Sequence, residues 1–291
     1  AVQDAVTLEK AGVDAVIVEN MGDTPFSAFL NKAQVAALTA AAYAVKQAVQ
    51  IPVGLDAAFN DCEADIAIAA MVGASFIRVP VFVDTVLFTD GIIQPCAKKC
   101  MEYRKMMGQE NVKILADVQV KHAHMLREHI TIEQSAKDAA SNGADGIIVT
   151  GTQVGEETPL DLIKRVKNVV NLPVFAGSGV NAENIHDQLQ TADGAIIGSS
   201  LKEGGILTNP ISYELVKKVL DEIEKGRKVK MMRPMKLAGS ELMFGEGSLA
   251  YIKTIKAKKV SIVIGGHSME KSGMLAKVEG YFKETGAETM V

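Results

Sequence analysis

The stretch PVFAGSGVNAENIHDQLQTADGAIIGSS, residues 173–200, decides the fold. Two short apolar strands, at 174–176 and 195–197, each run straight into a turn of small residues. The first turn is Gly177-Ser178-Gly179, the second is Gly198-Ser199-Ser200, and a short helix is expected between them over 182–189. Two strands running the same way need a crossover, and that helix supplies it. Glycine at a strand end lets the backbone approach a ligand closely, and N–H groups exposed there hold an anion. Paired turns of this kind, late in the chain, are how many (β/α)8 barrels grip a phosphate. Gly177, Ser178, Gly179, Gly198 and Ser199 are therefore the candidate phosphate-binding residues, with ordinary tight βα turns as the alternative.

Outward from this stretch the same alternation continues. Strands are expected at 15–20, 53–57, 75–82, 112–120 and 147–150, and helices at 2–11, 33–50, 62–72, 96–107, 131–141, 159–170 and 211–225. Residues 83–95 read as a long loop. Gly12 and Gly73 close their helices, and Thr131 caps the one it precedes. The phrases GVDAVIV, GASFIRV, GADGIIV and TADGAIIG recur as a helix end followed by a strand start. Repeated βα units argue for a parallel sheet closed into a barrel rather than a doubly wound one. Seven strands are counted, and an eighth is expected before Ala1. The fold class is thus α/β, a (β/α)8 barrel lacking its first strand. Such a barrel exposes two parallel edges, which a homo-oligomer would cover.

The chain has 291 residues, 48% hydrophobic and 23% charged, enough to bury the core of a barrel-sized domain. A net charge of −4 without a basic run excludes a nucleic-acid partner, and no apolar segment is long enough to span a membrane. The three cysteines, Cys62, Cys96 and Cys100, are odd in number and fit a reducing cytosol, so a cytoplasmic location is expected. Beyond Gly226 the character changes. Three regions are expected: a barrel at 1–226, a linker at 227–239, and an incomplete α/β segment at 240–291.

Strand parity picks out the chemistry, because alternate side chains face opposite sides of a sheet. Over 112–121 one set, Val112, Ile114, Ala116, Val118 and Val120, is apolar and should face the helices. The other set, Lys113, Leu115, Asp117, Gln119 and Lys121, must face the barrel axis. Polar groups there need partners or a ligand, and barrel sites lie at the C-terminal strand ends. On 76–81 the inward set includes Arg78, which wants a carboxylate or a phosphate; Asp117 is its candidate strut. Glu19 ends the first strand facing inward with Asn20 beside it, Asp56 ends the next, and Thr150 ends the strand at 147–150. His122 and His124 form a lone H-x-H pair after Lys121, too few ligands to assign a metal. Asp117, Lys121, Glu19 and His122 are the candidate catalytic groups, and Asn20, Asp56, Arg78, Gln119 and Thr150 the candidate substrate contacts. A buried lysine whose proton is loosened also forms Schiff bases. No cofactor is expected.

Asp56 apart, these residues lie in motifs that resemble the BtpA/SgcQ family: AGVDAVIVENMGDTPF at 11–26, FIRVPVF at 76–82, TDGII at 89–93, ILADVQVKHA at 114–123, GADGIIVTGTQVG at 143–155, FAGSGV at 175–180 and DGAIIGSSLK at 193–202. The resemblance covers about residues 1–224 and implies a TIM barrel of the ribulose-phosphate-binding kind. It implies roles for Glu19, Asn20, Arg78, Asp117, Lys121, His122 and the turns at Gly177 and Gly198. One branch of that family is linked to photosystem I biogenesis, and another sits among sugar-metabolism genes. The expected function is binding of a small phosphorylated metabolite, a sugar phosphate, with isomerase or lyase chemistry. The alternative is a non-catalytic assembly factor. About residues 236–291 resemble the N-terminus of iron-containing alcohol dehydrogenases, covering only the first strand and helix of their nucleotide-binding domain. As an isolated piece of such a fusion, the tail is expected to be inactive.

Overall fold

In the computed structural model all residues are described except 24, 90, 122, 128, 152–156, 230–232, 238–239, 245–247 and 263–270. Side chains within 226–248 are likewise left undescribed. The chain divides into two units, Ala1–Ile223 and Glu224–Val291.

In the first unit β1 (Val16–Glu19), β2 (Val53–Asp56), β3 (Phe76–Val79), β6 (Lys113–Val118), β8 (Gly146–Val149), β9 (Val174–Ala176) and β10 (Gly194–Ala195) form one seven-stranded sheet in that order. Every pairing in it is parallel. Strands adjacent in space thus follow one another in the chain, as a barrel requires. The crossovers carry α1 (Val2–Ala11) ahead of β1, then α2 (Lys32–Ala48), α3 (Cys62–Val72), α4 (Ala97–Met106), α5 (Ile132–Ser141), α6 (Leu160–Lys167) and α7 (Ile185–Thr191) between strands, and α8 (Tyr213–Val229) after them. Their ends obey local chemistry. Asn31 and Gln34 make a reciprocal capping box on α2, Asp61 accepts the Ala64 N–H at the start of α3, and Thr131 accepts the Gln134 N–H at the start of α5.

The apolar set of β6 packs outward as parity requires: Val112, Ile114, Ala116 and Val118 are buried in the main core with residues of α3, α4 and α5. The recurring Ala-Asp-Gly phrase has a structural meaning. Asp145 accepts the Ile114 N–H while its own N–H donates to the Ile114 carbonyl, and Asp193 does the same with Val174. Each aspartate clips the N-terminal end of the preceding strand. The glycine that follows leaves a hole: a Cβ on Gly194 would meet the Phe175 ring at 2.8 Å, and one on Gly146 would meet Leu115 at 2.8 Å and that ring at 3.1 Å. Gly54 does likewise for Phe76, where a Cβ would lie 2.1 Å from the ring.

The region 83–95 holds more structure than a loop. Here β4 (Val86–Phe88) pairs antiparallel with β5 (Gly91–Ile93) and with β7 (His124–Met125). Val86 and Ile93 point into a second apolar cluster with Phe59, Val81 and Val120. Phe59 and Phe88 stack at 4.2 Å with an interplanar angle of 7°. In the second unit, Arg233–Leu237 and Ser240–Phe244 pair antiparallel. The strand Arg233–Leu237 thus lies inside the expected linker at 227–239. Lys259–Ser261 pairs parallel with Glu288–Met290, with the helix Met274–Glu284 between them in sequence. Gly265 and Gly266, a glycine pair that in the sequence offers a weak dinucleotide-binding signal, lie outside the described residues.

Gly54→Ala should therefore destabilise the barrel by about 1–3 kcal/mol, because the Phe76 ring must move. Gly198→Ala, with nothing within 4 Å of the added carbon, should stay within about 0.5 kcal/mol of wild type. Urea midpoints of the two variants check both expectations.

Candidate functional site

Along the first five parallel strands the inward positions read apolar or glycine first and polar two residues later: Ile17 then Glu19, Gly54 then Asp56, Phe76 then Arg78, Leu115 then Asp117, Ile148 then Thr150. Because all strands point the same way, the polar residues gather at the C-terminal end of the sheet.

Arg78 stands at the centre of this layer. Its Nε and one terminal nitrogen donate to the two oxygens of Asp117 at 2.9 and 2.8 Å, a fork-to-fork pair. Its other terminal nitrogen lies 3.5 Å from Asp56 Oδ2. Burial works against the guanidinium's charge, but Asp117, Asp56 and Glu19 more than offset it and hold the proton above its ordinary value. Asp56 and Asp117 are each 1% exposed. Burial, and then the neighbouring Glu19 charge, push the Asp56 carboxyl well above the usual carboxylate range. Its Oδ1 has no hydrogen-bond partner among the described residues.

Glu19 and Lys121 are displaced in opposite directions. Burial raises the Glu19 carboxyl; Arg78 and Lys121 oppose this and Asp117 adds to it. Burial also lowers the Lys121 ammonium, with Arg78 adding to the effect against Asp117 and Glu19. Both shifts run toward neutral pH, where a group exchanges protons most readily. Thr150 accepts the Lys121 N–H at 3.0 Å and so fixes where that lysine leaves β6.

Other expected site residues are occupied with the frame. The β6 alternation ends at Val118, and Gln119 takes a positive φ of 49°. Its N–H donates to Asp84 and its side-chain amide to the Ile130 carbonyl, so Gln119 leaves the inward set. The Asn20 side chain donates to the Ala58 carbonyl and accepts the Ala58 N–H, strapping β1 to the chain beyond β2. His122 lies outside the described residues, and His124 is exposed in β7. Among the described residues no group of three or more His, Cys, Asp or Glu could hold a metal ion.

At the two small-residue turns the N–H groups divide. Gly177 donates to the Val149 carbonyl and Ser178 to Thr158 Oγ1, while Ser178 Oγ accepts the Gly151 N–H. A Cβ on Gly177 would meet Ile148 at 2.4 Å, so that glycine serves packing. The N–H groups of Gly179, Gly198 and Ser199 carry no hydrogen bond among the described residues. One buried acid escaped the sequence reading. Asp65, 1% exposed in α3, accepts the Ala57 N–H at 2.8 Å, and burial followed by the Asp56 charge raises its carboxyl well above the ordinary value. Its signal was a single acid within the apolar run ADIAIAA of residues 64–70.

A curled parallel sheet with helices in its crossovers and polar groups at its C-terminal end defines a protein of the TIM-barrel class. Solved structures agree. Thiamine phosphate pyrophosphorylase from Pyrococcus furiosus matches with a TM-score of 0.53 at 14% identity, over 77% of this chain and 90% of that one. (S)-3-O-geranylgeranylglyceryl phosphate synthase from Thermoplasma acidophilum, in complex with sn-glycerol-1-phosphate, gives 0.53 at 16%, over 77% and 87%. The BtpA family model matches residues 1–225, and the chain belongs to the BtpA family. An uncharacterised Pyrococcus furiosus protein is 43% identical over 75% of this chain and 82% of its own length. The photosystem I biogenesis protein BtpA of Synechocystis is 36% identical over 79% and 80%.

Removing the central cation should be costly. Arg78→Met strands two buried carboxylates and should lose about 3–5 kcal/mol; Arg78→Met with Asp117→Leu should recover much of it, read from urea unfolding. Asp65 sets a pH dependence. Between its ordinary value of 3.8 and its raised folded value, the folded state holds a proton that the unfolded chain has lost. Stability therefore falls as pH rises through that window, by up to about 1.4 kcal/mol per pH unit for each such group. Asp65→Asn should remove its share of the slope and gain on wild type as pH rises, a comparison that urea midpoints at several pH values decide.

Proposed function

We propose that the barrel binds a small phosphorylated metabolite of sugar-phosphate size and moves protons within it, as an isomerase or lyase does. The observation that carries this reading is the polar layer at the C-terminal strand ends, where Glu19 and Asp56 stand side by side beside the buried Arg78–Asp117 fork and Lys121 follows just beyond. Glu19 and Lys121 then serve as the acid–base groups, with Arg78 and Asp117 as the fixed charged frame against which a substrate is oriented. With its proton loosened, Lys121 also suits Schiff-base formation with a substrate carbonyl. The phosphate sits on the N–H groups of Gly179, Gly198 and Ser199, a backbone nest that suits an anion. Support comes from the structural neighbours, whose names carry phosphorylated compounds: thiamine phosphate and a glyceryl phosphate.

A second reading, a non-catalytic assembly factor, draws on the name of the Synechocystis relative. It requires Lys121→Met to leave the protein's role intact. The segment 240–291 is read as a dehydrogenase-like start without activity of its own, on its single parallel β–α–β unit.

A thermal-shift titration with inorganic phosphate and a panel of sugar phosphates tests the main reading. A saturable rise is expected, worth about 2.7 kcal/mol at a hundred times Kd. Gly198→Asp, which sets a carboxylate among the proposed anion donors, should abolish it. With the responding sugar phosphate as substrate, Glu19→Gln and Lys121→Met should each lower turnover by roughly 100-fold or more while the phosphate response persists. A flat response in the wild type would sink the proposal.

A further inference from the structure

Glu19 and Asp56 are direct partners in the parallel ladder between β1 and β2, and both occupy inward positions. The charged groups facing them are countable. Arg78 comes from β3, Asp117 from β6 and Lys121 from the chain just beyond it, while Asp65 stands behind Asp56 on α3, whose cap is Asp61. Five of these, Glu19, Asp56, Asp61, Asp65 and Asp117, are buried or half-buried acids, against two cations. The nearer cation is already committed, because Arg78 gives two of its nitrogens to Asp117 and only a 3.5 Å contact to Asp56 Oδ2. Asp56 Oδ1 is left fully buried with no hydrogen-bond partner among the described residues. A carboxylate oxygen buried that way is costly, whereas a protonated one is a donor waiting for an acceptor.

We propose that Glu19 and Asp56 form a carboxyl pair with one proton, Asp56 as the neutral acid and Glu19 as the ionised base. Two neighbouring inward carboxyls do not both ionise readily, and the strongly desolvated member keeps the proton. The inference rests on the phosphorylated-metabolite reading and narrows it to a substrate with a carbonyl next to a hydroxyl-bearing carbon. The Glu19 carboxylate takes the proton from that carbon, and the C–H electrons form the carbon–carbon double bond of an enediol. The carbonyl oxygen takes a proton from the Lys121 ammonium, while Asp56, 1% exposed, keeps its own proton and leaves Glu19 the ionised base. In return, the second hydroxyl gives its proton to the Lys121 amine, and the former carbonyl carbon takes the proton held by Glu19. Carbonyl and hydroxyl have exchanged places, and the step balances within Glu19, Lys121 and the substrate.

The test is a carbon-13 NMR titration of the side-chain carboxyls of the full chain without ligand, with Asp56→Asn and Glu19→Gln alongside. In the wild type one carboxyl carbon should carry the chemical shift of the neutral acid at neutral pH, and that signal should vanish in Asp56→Asn. In Glu19→Gln its midpoint should move to lower pH, because the neighbouring negative charge is gone. If Asp56→Asn does not fold, through-bond correlation from the Asp56 amide in the wild type assigns the same carbon. An Asp56 carboxyl that is ionised at neutral pH, or whose midpoint ignores Glu19→Gln, overturns the pair. Failure of the two readings is separable. A wild type that ignores phosphate but shows the neutral Asp56 loses the phosphorylated substrate and keeps the pair; one that responds to phosphate with an ionised Asp56 loses the pair alone.

Discussion

A guanidinium inside a barrel is the constraint on which the rest of this site depends. Arg78 can stay charged where it is only because Asp117 takes it bidentately and Asp56 and Glu19 add their fields. That solution creates a surplus of acids, and the surplus sets the remaining chemistry. Asp56, left without a full share of Arg78, is the carboxyl whose proton is held most firmly, with Glu19 as its ladder partner. Buried ion pairs of this kind add little to stability against an apolar alternative but lose heavily when one partner goes. The cluster is accordingly better understood as a fixed field for chemistry than as a fastening.

Packing on both sides keeps that field strong. Below the polar layer, Phe76 and Phe175 use the space that Gly54, Gly146 and Gly194 leave inside the sheet. Beside it, the small antiparallel sheet brings Val86 and Ile93 against Phe59, Val81 and Val120, while Phe88 stacks on Phe59. Apolar walls lower the local dielectric, which strengthens each electrostatic effect between them.

The frame was legible in the sequence because parallel strands buried on both faces write their parity openly. The alternation of residues 112–118 placed Ile114 and Ala116 outward and Asp117 inward, and it made Arg78 its natural partner. The same device reached too far at Gln119, where a left-handed residue breaks the alternation and no residue pattern announces it. The strands Val86–Phe88 and Gly91–Ile93 are three residues each, too short to show a period, so they read as loop. At the small-residue turns the sequence could not say which N–H groups the frame had already engaged. Gly177 is held by the ladder and by Ile148, and Ser178 by Thr158. Asn20 lost its freedom to a backbone 38 residues away, a distance that only the folded chain closes.

The aspartate clips have a consequence for kinship. Asp145 and Asp193 secure the N-terminal ends of the strands before them, at the opposite end of the sheet from Glu19, Asp56 and Asp117. Strand register is thus anchored by residues that never meet a ligand, and the mouth is free to drift without unseating it. A lineage built this way can exchange one turnover for another while its frame stays recognisable. Overall identity between two such chains then measures shared folding, and inheritance of chemistry is traced through the handful of residues at the mouth.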